Sequence, residues 1–263
     1  MASSKKAVKW PLAYKHVDLN PDSNLLKIIA IIAMVIDHSG KMLFQSNNMR
    51  IIGRMAMPIF AYGIAAGCVY TRSPVKYLSR LVMVGLISQP FYALALGHTV
   101  QSMYAIPFRE NPVGAVIHFY VESWYHPSIF LTLVLGMLVI WTLRERHLWL
   151  TLALMLFVWK ANAHIDYGWK GVALIVLFYL FINRWWLSLP VIAAFMLWWG
   201  LSAGKSYHLF GVGFGMQTFA MLSLPLIYIH TKSGLKINKW VFYLFYPGHL
   251  IGLLLIELAL KAV

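Results

Sequence analysis

The chain has 263 residues, of which 60% are hydrophobic and 11% charged, with a mean hydropathy of +0.70, whereas soluble domains run at about 45–50% apolar and about 25% charged. So few charged side chains cannot cover a water-soluble fold of this size, which excludes Rossmann, TIM-barrel and winged-helix architectures and leaves lipid as the solvent. The charge is lopsided, 22 Lys and Arg against 8 Asp and Glu for a net +14, but no basic stretch is interleaved with a soluble fold, so it reads as the positive flanks of membrane spans and not as a nucleic-acid surface.

Residues 1–24 form a basic cytoplasmic or interfacial arm; the first twenty hold four lysines and no long apolar core, so they are not a cleavable signal peptide. From Leu25 apolar stretches recur at about 25–45, 52–71, 77–97, 127–143, 147–161, 170–183, 185–203, 210–230 and 240–260. They predict an all-α, polytopic transmembrane bundle of about nine helices, one domain over 25–263, although the fifth and sixth are short for a bilayer core that wants about 20 residues. With the N-terminus cytoplasmic, the inner face receives Lys5, Lys6, Lys9, Lys15, Lys27, Arg72, Lys76, Arg80, Arg144, Arg146, Arg184, Lys232, Lys236 and Lys239, the bias the positive-inside rule requires. Most tryptophans fall near span ends, as an aromatic belt does. Residues 98–126 form a long outer segment in which 112–121 lies in the interface or dips inward, and 162–169 (NAHIDYGW) crowds polar groups between two short spans. Irregular backbone at membrane depth lies only against protein or water, so either segment is a candidate cavity lining.

Ionisable groups inside apolar stretches are costly and mark function. In the first span Asp37 and His38 sit side by side, about 100° apart around a helix, so each needs a partner on another helix. Arg50 and Arg54 share a face at the start of the second span, where Asp37 is the available counter-charge, and Pro58 bends that span. In the last span His249 follows Pro247 and Gly248, and a neutral imidazole there accepts a proton near pH 7. Glu257 lies two turns on, as a second buried acid or in the headgroups. His118, His126, His164 and His208 are scattered and show no HExxH pairing, so no metal is expected. A single cysteine, Cys68, excludes an intramolecular disulfide and a thiolate cluster, and no GxSxG elbow is present. GVGFG at 211–215 lacks the spacing of a nucleotide loop and reads as close helix packing.

Five stretches together resemble the TraX family of integral inner-membrane proteins of conjugative plasmids: LKIIAIIAMVIDH, RIIGRMAMPIFAY, YLSRLVMVGLISQPFY, DYGWKGVALI and VFYLFYPGHLIGLLL. The resemblance implies a multi-pass protein of the bacterial inner membrane that acetylates the N-terminal amine of a small hydrophobic pilin, with acetyl-CoA as donor and no metal. It implies that His249 or His38 is the general base, that Asp37 orients it or anchors Arg54, and that Arg54 stabilises the thioester oxyanion. The donor's phosphates are expected on Arg72, Lys76 and Arg80, with Arg144 and Arg146 in support. Another amide-forming maturation such as head-to-tail cyclisation stays open, as does a non-enzymatic pilin-binding or proton-coupled transport role. Besides the pilin, the expected partner is membrane lipid, with the oligomeric state left open.

Overall fold

The computed structural model describes residues 14–204, 206–209 and 211–262; Lys5, Lys6 and Lys9 of the basic arm lie outside them. The chain folds into α1 (Ser23–Met42), α2 (Asn47–Gly53), α3 (Ala56–Tyr70), α4 (Pro74–Ala95), α5 (Pro112–Ser123), α6 (Ile129–Arg144), α7 (Leu148–Lys160), α8 (Gly168–Phe181), α9 (Trp185–Ser202), a hairpin of β1 (Tyr207–Leu209) and β2 (Val212–Phe214), α10 (Leu224–Tyr228) and α11 (Lys239–Lys261). Side-chain caps set several starts: Asp22 accepts from the Leu25 amide, Asn111 from Gly114 and Asn238 from Trp240. Pro74 and Pro112 sit where a missing N–H costs nothing.

Four stretches are long and apolar enough to cross a membrane: Asn47–Tyr70, Pro74–Ala95, Trp185–Ser202 and Trp240–Lys261. Shorter apolar helices run over Ile129–Arg144, Leu148–Lys160, Gly168–Phe181 and Met216–Tyr228. α1, 20 residues long with Lys27, Asp37, His38 and Lys41 within it, is not among them. The eighth expected span, 210–230, is not one helix. Its first part is the hairpin, joined by Gly211 at φ 78°, and the rest is a 3-10 turn over Met216–Ser223 running into α10. The glycines of GVGFG suit a tight turn better than a helix interior.

α8 stands at the centre, packed on α3, α6, α7 and α9, with Leu174, Ile175 and Phe178 fully buried and Tyr179 nearly so. α1 packs on α2, α3 and α11, and α11 on α4. α7 turns outward: Trp149, Leu152, Leu156, Phe157 and Trp159 are all exposed. An apolar face of that extent suits lipid and not water.

Connections alternate between two ends of the bundle. At the basic end the segment before α1 is built in: the Asp18 amide donates to the Ile182 carbonyl and the Asn20 amide to Ile227, while Tyr62 Oη donates to the Asn20 carbonyl at 2.6 Å. Leu19 and Asn20 are buried, so the inner part of the expected arm belongs to the core. The Asp22 carboxylate accepts from the Ser233 amide at 2.5 Å, and that bond holds its carboxyl below the usual carboxylate range. The opposite end gathers the α1–α2 turn, residues 96–128 and the α7–α8 loop, where Gln89 donates to the carbonyls of Ser123 and His126 and accepts from the Ser128 amide.

Candidate active site

The site is assembled from both ends of the sequence. Asp37 on α1 accepts from Arg54 Nη2 at 2.5 Å, and both side chains are about 15% exposed. Arg54 lies at the turn that separates α2 from α3, and its Nε donates to the Arg50 carbonyl at 3.3 Å. Among the described residues its Nη1 has no hydrogen-bond partner and is free for a third group. Gly53 permits this approach, because a Cβ there would collide with the side chain of Asp37. Arg50 shares no ion pair among the described residues, and its buried Nε has no partner.

His38, on a different azimuth of α1, turns to α11. Its Nδ1 stands 2.9 Å from His249 Nε2, with the rings stacked at 5.1 Å between centroids and 14° between planes. The tautomers follow from the next bond. His249 Nδ1 lies 3.1 Å from the Phe245 carbonyl, and since a carbonyl only accepts, the hydrogen of a neutral His249 sits on Nδ1 and its Nε2 is the acceptor. His38 Nδ1 therefore donates, and the lone pair of His38 Nε2 is left to accept a proton. Phe245 and Tyr246 flank the His249 ring at 5.5 and 5.3 Å.

A cavity of about 470 Å³ runs from the basic end toward this pair. Lys27, Tyr77 and Arg80 line it, as do Met34, Phe130 and Tyr246. Met34 is one turn below His38 on the same helix face, and Tyr246 is in contact with His249, so the lining includes a neighbour of each histidine although neither histidine lines the cavity itself. The Arg80 guanidinium stacks over Tyr77 at 5.9 Å, and its buried Nε has no hydrogen-bond partner among the described residues. Lys27 Nζ lies 5.3 Å from the ring of Phe242. Of the five basic residues expected to hold phosphates, Arg80 alone lines this cavity. Arg72, Lys76 and Arg146 are exposed at the same end, and Arg144 is spent on the Cys68 carbonyl at 2.9 Å.

On the other side of the Asp37–Arg54 pair lies the α7–α8 loop, which brings in a residue that sequence reasoning passed over. Asp166 is within electrostatic reach of Arg54, Lys41 and Asp37, and burial pushes its carboxyl up to about 6 against the pull of the two cations. Its only signal in the sequence is an acid in the polar NAHIDYGW loop. Lys41 Nζ in turn stands 3.4 Å from His98 Nε2. His98 stacks on Tyr92 and tilts against His126, while Tyr125 contacts His126 and His164. Burial and the Lys41 charge lower His98 to about 4. His118 bonds the Ser102 carbonyl, His208 lies on β1, and Glu257 pairs with Lys261 at 2.6 Å near the chain end, all apart from the site.

The family model described as TraX protein matches residues 22–257. The chain belongs to the TraX family. A probable fimbrial assembly protein FimC, serogroup H1, of Dichelobacter nodosus is 28% identical over 240 residues, 86% of this chain and 91% of that one. An uncharacterized protein, RP591, of Rickettsia prowazekii is 43% identical over 67 residues, 25% of each chain. No solved structure matches the chain significantly. The match over 22–257 takes in every residue of the site, from Asp37 to His249.

Proposed function

We propose that this TraX-family protein is a membrane-embedded acyltransferase of the bacterial inner membrane that acetylates the N-terminal amine of a small hydrophobic pilin, with acetyl-CoA as donor. One observation carries the reading: the His38–His249 hydrogen bond leaves His38 Nε2 as a base on the helix that also carries the Arg54-paired Asp37, and the neighbouring cavity is lined by Met34 and Tyr246 beside the two histidines. The fimbrial assembly relative supports a pilin-related acceptor.

The cavity takes the thin acylated arm of the donor, with Arg80 and Lys27 as the cations for its phosphates. The acceptor amine, with a free pKa of about 7.7–8.0, gives up a proton to His38 Nε2 as its nitrogen attacks the thioester carbon. The carbonyl oxygen gains charge and meets Arg54, whose Nη1 is free while Nη2 and Nε are fixed by Asp37 and the Arg50 carbonyl. Collapse breaks the C–S bond, and the thiolate takes up the proton that His38 holds. While His38 holds that proton, its charge is shared through Nδ1–H with the accepting Nε2 of His249, the place a carboxylate takes beside a catalytic histidine.

The experiment is direct. The purified protein in lipid is incubated with mature pilin, with and without acetyl-CoA, and the pilin is weighed by mass spectrometry. A gain of one acetyl group that requires the donor supports the proposal. Loss of one water without donor indicates cyclisation instead, and an unchanged mass leaves a binding or proton-coupled transport role.

A further inference from the structure

Five helices close a ring around the cavity: α1 packs on α3 and α11, α3 on α6, α6 on α4, and α4 on α11. Each supplies part of the wall, Lys27 and Met34 from α1, Gly63 from α3, Arg80 from α4, Phe130 from α6 and Tyr246 from α11. The polar lining gathers at the basic end, with Asn20, Ser23, Lys27, Thr71 and Arg80, and the wall beyond is apolar or aromatic. No Asp or Glu is among the lining residues. The ion pairs among the described residues are His16–Asp18, Arg54–Asp37 and Lys261–Glu257, so neither Lys27 nor Arg80 is neutralised that way. The buried Nε of Arg80 has no hydrogen-bond partner among the described residues. Two cations and no acid at one end of an apolar space suit an anion that carries a hydrocarbon tail.

Gly63 shows how that space is kept. Glycine in a helix interior is less favourable than alanine, and here packing does not require it: a Cβ at Gly63 would meet no atom within 4 Å. One turn on, in the same wall, the reason is different, because a Cβ at Gly67 would run into the ring of Tyr77. A side chain at position 63 would enter the cavity and narrow it, and its absence leaves a smooth strip of backbone along which a chain can lie. The depth from Lys27 to Met34 is two turns of α1, about 10 Å.

We infer that the cavity binds a single-chain anionic amphiphile, a medium-chain fatty acid such as decanoic acid, with its carboxylate on Lys27 and Arg80 and its chain running past Gly63 to Met34 and Tyr246. A cavity of about 470 Å³ within a closed ring of helices has room for one such chain and none for the second chain of a phospholipid. The inference goes beyond the acyl-transfer reading, since it concerns occupancy and no bond is made. The fatty acid takes the two cations proposed for the donor's phosphates, so it excludes the donor and slows the protein when free acid accumulates in the membrane.

The test uses decanoic acid with a diazirine at the chain end, added to the full-length protein in phosphatidylcholine nanodiscs, with crosslinks mapped by peptide mass spectrometry. Label is expected on lining residues near Met34, Phe130 and Tyr246, and the same chain as an alcohol is expected to place about tenfold less there, the worth of one charge-assisted contact. The double variant Lys27→Gln, Arg80→Gln is expected to bring the acid down to the level of the alcohol. Gly63→Leu fills the space and is expected to lose the label with its thermal midpoint held; if that variant does not fold, the acid and alcohol still decide in the wild type. Equal labelling by acid and alcohol, or label confined to exposed faces such as that of α7, overturns the inference, as does stronger labelling of the lining by a two-chain phosphatidylglycerol with the same photolabel. Excess acetyl-CoA is expected to displace the acid. Lining label that acetyl-CoA leaves unchanged keeps the fatty-acid site and takes the donor out of the cavity.

Discussion

His38 donates from Nδ1 to His249 Nε2 across 2.9 Å, and that one bond decides which of two histidines has a lone pair to spare. His38→Gln is expected to lower acetyl transfer by about 10²–10⁴-fold with the peptide KM little changed, the range for loss of a general base. His249→Gln keeps an acceptor for His38 Nδ1–H, so the loss is expected to be smaller. Steady-state rates with acetyl-CoA and a pilin peptide decide between them. Equal and slight effects in both variants would remove the histidines from the chemistry.

Gly53→Ala tests the fit between α1 and the α2–α3 turn. The added methyl runs into Asp37, the core of an ion pair with little room to move. A loss of about 1–3 kcal/mol is expected from overpacking alone, read as a lower thermal midpoint in detergent. Asp37→Asn leaves the space unchanged but strands Arg54 without its counter-charge, and costs more, about 3–5 kcal/mol if the pair is as poorly solvated as its exposure suggests.

Arg80→Ala is expected to raise the KM for acetyl-CoA about tenfold while kcat with saturating donor holds, because Arg80, whose buried Nε has no hydrogen-bond partner among the described residues, lies in the cavity wall. Arg72→Ala and Lys76→Ala, exposed outside that wall, are expected to change the same KM far less. A larger effect at Arg72 than at Arg80 would move the donor out of the cavity.

His98 supplies a pH test of stability. Burial and Lys41 lower it to about 4 from an ordinary value of 6.5. Between those limits the unfolded chain binds a proton that the folded one refuses, so stability rises with pH over that window and falls on acidification. His98→Asn is expected to flatten part of that slope in melts between pH 4.5 and 7. The half-exposed position keeps the effect small, and an identical slope in the variant would show that His98 does not contribute to it.

The sequence was informative where lipid makes charge expensive. Asp37, His38, Arg54 and His249 stood out because apolar helices surround them, and adjacency on a helix already required Asp37 and His38 to look to different neighbours. Their actual neighbours were only half legible. A short turn brings Arg54 back to Asp37, but nothing in spacing says that the first and last helices run side by side. Asp166 escaped because a polar residue in a loop is cheap, and what singles it out is a fold that sets it within electrostatic reach of Arg54 and Lys41. The stretch at 210–230 misled for a related reason: its mean hydropathy suits a span, while its glycines, read singly, favour the hairpin that forms.

The His38–His249 bond spans 211 positions of the chain, and so does the bond between Asn20 and Thr231 at the basic end. Translation delivers one partner of each pair long before the other. A ribosome that has inserted α1 through α9 has therefore made a chain that already holds the Asp37–Arg54 pair, with His38 still lacking its partner. The histidine pair is complete only with the last helix, so a prematurely terminated chain would hold Asp37 and Arg54 together and leave His38 without His249.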